Sequence, residues 1–144
     1  MLEAISLFCS GVFFGVALCI TWVHHPAALE VGPAFAARLF SPMYRRAAPI
    51  QIVLASSGTL SGLCAAWRGS GGLWALGALL LFAVIPFTLL RIMPVNHQLL
   101  APGREAQAPE TELLLRRWGH LHAGRTGLGG LAFLVQLTAM ACRP

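Results

Sequence analysis

The chain contains no lysine and no aspartate, so its ten basic residues are all arginine and its five acidic residues are all glutamate. Only 10% of the residues are charged, whereas an ordinary soluble domain carries about 25%. Hydrophobic residues make up 57% of the sequence, and the mean hydropathy is +0.72. This scarcity of charge excludes an ordinary soluble domain and indicates an integral membrane protein.

A C-x-x-C motif is also absent. The four cysteines, Cys9, Cys19, Cys64 and Cys142, stand alone in or near apolar segments. Without paired cysteines, a zinc knuckle and a thiol oxidoreductase are both disfavoured. We expect these cysteines to act as small buried hydrophobic residues.

The net charge of +5 would suggest a nucleic-acid partner in a soluble protein, but here the arginines lie at the ends of apolar segments. We therefore expect no nucleic-acid partner. One set of segment ends carries seven arginines: Arg38, Arg45, Arg46, Arg91, Arg104, Arg116 and Arg117. The opposite set carries only Arg68 and Arg143. The positive-inside rule then places loops one and three in the cytoplasm and both termini outside, at what we interpret as a bacterial inner membrane.

Four apolar segments predict an all-α integral membrane protein, a single four-helix bundle domain over residues 1–144. They cover about residues 4–23, 47–67, 73–91 and 120–141, and each is long enough to cross a hydrocarbon core of about 30 Å. The first segment has an acidic start and no small-x-small cleavage site, which argues against a cleaved signal peptide. We expect it to be retained as a transmembrane span.

Prolines set the expected helix boundaries. Pro26 should end the first helix, and residues 27–44 should form a loop that contains a short interfacial helix. The Ser-Pro pair at 41–42 is typical of a helix start, so the second helix is expected from about Met43. The third helix should break at residues 93–97, which include a proline.

Small residues indicate where the helices approach one another. Gly11 and Gly15 are four residues apart in the first segment, and Gly58 and Gly62 have the same spacing in the second. Such pairs let helix backbones come close together in a membrane. Both pairs are therefore predicted to lie at helix–helix contacts.

One face of the last segment combines an aromatic ring, a titratable base and a cation. Trp118, His122 and Arg125 have the spacing i, i+4, i+7, so they share a helix face that continues toward Gln136. His120 points to nearly the opposite side of the same helix. An HxH pair on a helix is therefore not a ready metal chelate.

Polar side chains gather at one end of the predicted bundle. All five histidines fall there: His24, His25, His97, His120 and His122. Six other candidates fall at the same end: Arg91, Arg125, Asn96, Trp22, Trp118 and Tyr44. Gln51 is the strongly polar residue well inside the second segment. Aromatic and arginine residues are common at membrane surfaces, but five histidines at one end indicate a pocket inside the bundle.

Three kinds of function fit this pocket. The histidines could ligate haem, copper or another metal. A neutral histidine could instead remove a proton from an acidic C–H or phenol, while an arginine stabilises the resulting anion without any cofactor. In the third interpretation the protein is not catalytic and binds lipid, a lipophilic ligand or a partner.

Five groups of residues, spread in order over nearly the whole chain, resemble the anthrone oxygenase-like family of small four-span membrane proteins. Many members of this family are known only as a domain of unknown function. The resemblance is carried by His25-Pro26-Ala27, by Tyr44-Arg45-Arg46-Ala47 with Gln51, by Ile85-Pro86-Phe87-Thr88, by Pro94-Val95-Asn96-His97-Gln98-Leu99, and by Leu114-Leu115-Arg116-Arg117-Trp118 with His122 and Arg125-Thr126.

The resemblance implies a monooxygenase that oxidises anthrones to anthraquinones with O2. In that scheme His122 or His25 removes the acidic methylene proton, Arg125 stabilises the enolate, and Asn96 donates to the carbonyl oxygen.

Further residues are assigned to substrate binding: Trp118, Trp22, Arg91, Tyr44, Gln51 and His97. The expected partners are membrane lipid, a lipophilic small molecule and a second copy of the chain. No metal is needed in this scheme.

The acid–base interpretation predicts a colourless, metal-free protein after purification in detergent. Metal analysis and a visible spectrum test this directly. Stoichiometric metal or a Soret band would make the histidines ligands and contradict the cofactor-free scheme.

Overall fold

The computed structural model describes residues 1–142, and Arg143, which enters the arginine count above, lies outside the described residues. This part of the chain forms a bundle of four long helices. They are α1 Leu2–Val31, α2 Pro33–Ser70, α3 Gly72–Leu99 and α4 Pro109–Ala141. The predicted all-α fold class is confirmed, and each of the four predicted spans lies inside one of these helices.

Three of the helices in residues 1–142, namely α1, α2 and α3, are long and apolar enough to cross a membrane. The chain is therefore a membrane protein by the length and composition of its helices. Helix α4 is not among the three, because its apolar part also contains Arg125, Gln136 and several glycines. It packs against α1 and α3, and the side chain of Gln136 is fully buried.

The two ends of the bundle differ in how the helices are joined. At one end the Ser70 hydroxyl donates to Glu3 Oε1 at 2.6 Å, which places the amino terminus beside the α2–α3 turn. At the other end α1 and α2 meet at Gly32, whose φ of 138° suits glycine. Residues 100–108 join α3 to α4 at that same end. Loops one and three therefore share one end, where the histidines lie.

Helices α1 and α3 continue past the prolines that were predicted to end them. A π turn at Ile20–His24 precedes Pro26, and another at Thr88–Ile92 precedes Pro94. A π turn replaces i→i−4 bonds with i→i−5 bonds, so a proline without an N–H is tolerated directly after it. The breaks predicted at Pro26 and at residues 93–97 are wrong for this reason.

Helix α2 begins at Pro33 rather than at Met43. The predicted interfacial segment is helical, but it is continuous with α2, and the helix runs through Pro42 and Pro49. Phe40 is buried in an apolar cluster built from all four helices. This packing stabilises the segment as helix, so α2 begins before the Ser-Pro pair at 41–42 that was predicted to start it.

Glycine contacts hold α1, α2 and α3 close together. A Cβ at Gly62 would lie 2.7 Å from Ser6 Oγ and 2.9 Å from Ala78 Cβ. The Ser6 hydroxyl also donates to the Gly58 carbonyl at 2.7 Å. The prediction for this pair is confirmed.

The other glycine pair and the cysteines depart from their predictions in part. A Cβ at Gly11 would meet the Phe133 ring at 3.0 Å, whereas Gly15 is exposed and has nothing within 4 Å of such a Cβ. Gly15 therefore does not pack against a helix. Cys9 is buried as expected, but the other three cysteines are exposed.

Gly62→Ala is expected to destabilise the bundle by about 1–3 kcal/mol, because the added methyl overpacks a contact among three helices. The control is Gly15→Ala, which should be neutral or stabilising by up to about 1 kcal/mol through helix propensity. Thermal unfolding in detergent, followed by circular dichroism, compares the two variants. Equal midpoints would contradict the assigned contact.

Candidate functional site

A cavity of about 160 Å³ lies among the helices, toward the histidine end. Most of its wall is apolar, including Phe13, Ile20 and Val84. Six of the ten predicted site residues line it: Tyr44, Gln51, Asn96, Trp118, His122 and Arg125. Its size compares with that of engineered protein cavities of about 150 Å³ that bind benzene.

His122 is buried and makes a hydrogen bond through each ring nitrogen. Arg125 Nη2 lies 2.7 Å from His122 Nε2, and Thr21 Oγ1 lies 2.8 Å from His122 Nδ1. A guanidinium can only donate, so Nε2 must accept and the ring hydrogen must sit on Nδ1. The hydrogen-bond network therefore assigns His122 as a neutral imidazole with its lone pair toward Arg125.

Arg125 is a partly buried cation without a carboxylate partner among residues 1–142. The ion pairs of that part of the chain are Met1–Glu3 and Arg116–Glu112, and neither involves Arg125. The Arg125 Nε–H is buried and has no hydrogen-bond acceptor. The guanidinium carbon lies 5.6 Å from the centre of the Phe13 ring, a cation–π distance. The positive charge is thus available to an anionic oxygen in the cavity.

Two buried amide side chains give the cavity one hydrogen-bond donor and one hydrogen-bond acceptor. Asn96 Oδ1 accepts from Trp118 Nε1 at 2.8 Å, so the Asn96 NH2 is the group left to donate. Gln51 Nε2 donates to the Phe13 carbonyl at 3.5 Å, and Gln51 Oε1 has no partner. A ligand can therefore find a donor at Asn96 and an acceptor at Gln51.

Three rings hold Trp118 in place. Its ring centre lies 4.6 Å from that of His122, 5.0 Å from that of His25 and 5.3 Å from that of Phe40. Together with the bond to Asn96, these contacts fix the indole as part of the cavity wall.

His25 lies behind this wall rather than on it. It is buried, its Nε2 has no hydrogen-bond partner, and it lines a separate shallow cleft with Thr21 and His120. His25 contacts the Trp118 ring and does not line the main cavity.

The other three predicted site residues lie on the outside of the bundle. Trp22 is 74% exposed, and Arg91 and His97 are also exposed. None of them lines the cavity. His24 and His120 are exposed as well, so the structure buries two of the five histidines.

Thr21 and Thr126 are site residues that sequence reasoning missed. Thr126 Oγ1 lies 2.8 Å from Thr21 Oγ1 and 2.9 Å from the His122 carbonyl. The i+4 spacing from His122 could have indicated Thr126. Thr21 is 101 positions from His122, and no local pattern reports that contact.

The described residues contain no group of three or more His, Cys, Asp or Glu side chains placed to hold a metal ion.

Comparison with known families gives one result. No curated protein and no solved structure shows significant similarity to the chain. A family model described as anthrone oxygenase matches residues 40–135, which is more than half of the chain and includes all six predicted residues on the cavity wall. The chain therefore belongs to the anthrone oxygenase family.

Proposed function

We propose that this membrane protein oxidises a lipophilic phenolic substrate of the anthrone type with O2 inside the cavity. The observation that carries the proposal is the guanidinium of Arg125, which has no carboxylate partner among residues 1–142 and lies on an apolar cavity, 2.7 Å from a neutral imidazole. Fixed positive charge in a water-poor site stabilises an enolate or phenolate more strongly than the same charge in water. Family membership supports the same chemistry.

The hydrogen bond between Arg125 and His122 suggests how the base is released. An oxygen of the bound substrate accepts from Arg125 in place of His122 Nε2. The Nε2 lone pair is then free beside the substrate and takes its acidic proton. Binding of the substrate oxygen thus prepares the base, and Arg125 holds the anion that forms.

The remaining steps balance without another reagent. The enolate transfers electrons to O2, a C–O bond forms at the former methylene carbon, and the peroxide takes the proton back from His122. Loss of water then gives the quinone, so anthrone and O2 become anthraquinone and water. Asn96 donates to the substrate carbonyl, and Gln51 Oε1 accepts from a phenolic hydroxyl.

The position of the cavity mouth supports a substrate dissolved in lipid. The exposed part of the lining lies between α2 and α3, where Ile52 is 64% and Leu89 is 56% exposed. Ser56 and Ile85 line the same opening. These positions lie within the apolar length of α2 and α3, so the mouth faces the hydrocarbon of the bilayer. We place loops one and three in the cytoplasm of a bacterial inner membrane, as the arginine distribution favours.

A non-catalytic binder of a lipophilic anion is the second candidate. It is favoured because the Nε2 lone pair of His122 already accepts a hydrogen bond from Arg125 and is therefore not free to act as a base. A binder would take up a phenolic ligand at Arg125 without turnover.

Arg125→Ala is expected to lower turnover of dithranol, a dihydroxyanthrone, by about 100-fold or more, because the anion loses its charged donor. The assay measures quinone formation and O2 uptake in membranes, after subtraction of spontaneous oxidation by heat-inactivated membranes. Arg117→Ala, an exposed arginine on the same helix, is the matched control and should retain activity.

The two candidates give different results in this assay. Wild-type protein that binds the anthrone but forms no quinone above background identifies a binder. Equal turnover by the Arg125→Ala and wild-type proteins would contradict the proposed chemistry.

Ser56→Trp is expected to raise KM by about tenfold, equivalent to about 1.4 kcal/mol, by obstructing the mouth with less effect on kcat. Val53→Trp is the control, since Val53 is 62% exposed on the same helix but does not line the cavity. Steady-state kinetics in vesicles of fixed lipid content measure both variants. An unchanged KM in Ser56→Trp would show that substrate enters elsewhere.

A further inference from the structure

The hydroxyl of Thr21 is the polar group that faces the far side of the His122 ring. Thr21 lies in the π turn of α1, and its Oγ1 is 2.8 Å from His122 Nδ1. The same oxygen lies 2.9 Å from the Ala17 carbonyl and 2.8 Å from Thr126 Oγ1. A single hydroxyl therefore connects the backbone of α1 to the imidazole of α4.

The hydroxyl hydrogen of Thr21 has a neighbouring backbone carbonyl as its acceptor, and a carbonyl cannot donate a hydrogen bond in return. The hydrogen points to the Ala17 carbonyl, so Thr126 is the donor in the 2.8 Å contact between the two threonine hydroxyls. The second lone pair of Thr21 Oγ1 remains free to accept from His122 Nδ1–H. Arg125 independently requires Nε2 to be the acceptor, so the two sides of the ring demand the same tautomer.

We propose that Thr21 is a positioning residue that holds His122 in the Nδ1–H tautomer, with the Nε2 lone pair directed toward Arg125 and the cavity. The hydrogen bond that one ring nitrogen makes determines which nitrogen carries the proton. The tautomer follows from the hydrogen bonds alone, whereas its effect on turnover rests on the proposed function.

Thr21 also keeps the ring in place during the reaction. When Nε2 takes a proton, Nδ1–H continues to donate to Thr21 Oγ1, so the ring does not rotate. The same proton can then return from Nε2 to the peroxide. In the wrong tautomer Nε2 carries a hydrogen, opposes Arg125 and cannot act as a base.

Three variants separate this role from a general effect on folding. Thr21→Val removes the hydroxyl at nearly constant shape, and Thr21→Ser keeps it. Thr138→Val is the matched control, because the Thr138 hydroxyl is exposed and bonds its own helix at the Leu134 carbonyl, 2.9 Å away.

The first measurement is the 15N NMR spectrum of histidine-labelled protein in detergent, since protonated and unprotonated ring nitrogens differ in chemical shift. Signals lost in His122→Asn identify His122. We expect a protonated Nδ1 in the wild type, Thr21→Ser and Thr138→Val. In Thr21→Val the Nδ1–H loses its acceptor, so we expect Arg125 to turn its donor away from the ring and the tautomer to shift toward protonated Nε2. Protonated Nε2 in the wild type, or an unchanged tautomer in Thr21→Val, would overturn the proposal. This test does not require the protein to turn over a substrate.

The second measurement is dithranol turnover. We expect Thr21→Val to lose about tenfold or more in kcat, within the range of acid–base catalysis, while KM stays nearly constant and Thr21→Ser restores the rate. If the kcat of Thr21→Val equals that of Thr138→Val, the positioning role of Thr21 in turnover is overturned. Absence of turnover in the wild type would reject the proposed function, and the NMR result would still decide the tautomer.

Discussion

One partly buried positive charge constrains the arrangement of the polar groups inside the bundle. Arg125 lies on the inner side of α4, and within the described part of the chain, residues 1–142, its contacts are a neutral imidazole and an aromatic ring rather than a carboxylate. A charge in apolar surroundings is costly, and the cost falls when dipoles and rings surround it. The missing counter-charge that lowers stability also leaves the guanidinium able to receive an anion. Stability and binding capacity are therefore set by the same group.

Each helix contributes at least one polar group to this arrangement. Thr21 comes from α1, Gln51 from α2, Asn96 from α3 and His122 from α4. No pair of neighbouring helices contains the complete set, so the site exists only in the assembled bundle. Close packing of α1, α2 and α3 at Gly62 is thus connected to the chemistry at the other end of the molecule.

The sequence predicts the parts of this structure that follow from local periodicity. The inward face of α4, with Trp118 and His122, follows from the helical repeat, and the fold class follows from the apolar segments. Trp22 was placed in the pocket because it shares an end with the histidines, but it lies on the outside of the π turn. Helical spacing assumes 3.6 residues per turn, and a π turn breaks that assumption. Thr21 could not be predicted, since its partner belongs to a distant helix.

The composition of α4 has a consequence for how the protein enters the membrane. This helix carries Arg125 and Gln136 within its apolar length, so it gains less free energy from partitioning alone than the three helices before it. Gln136 Oε1 finds its hydrogen-bond partner on another helix, where the Ser10 hydroxyl of α1 donates to it at 2.8 Å. Stable insertion of α4 therefore depends on α1 to α3 being in place already. Helix α4, which follows these three helices along the chain, thus completes the bundle and the site in the same step.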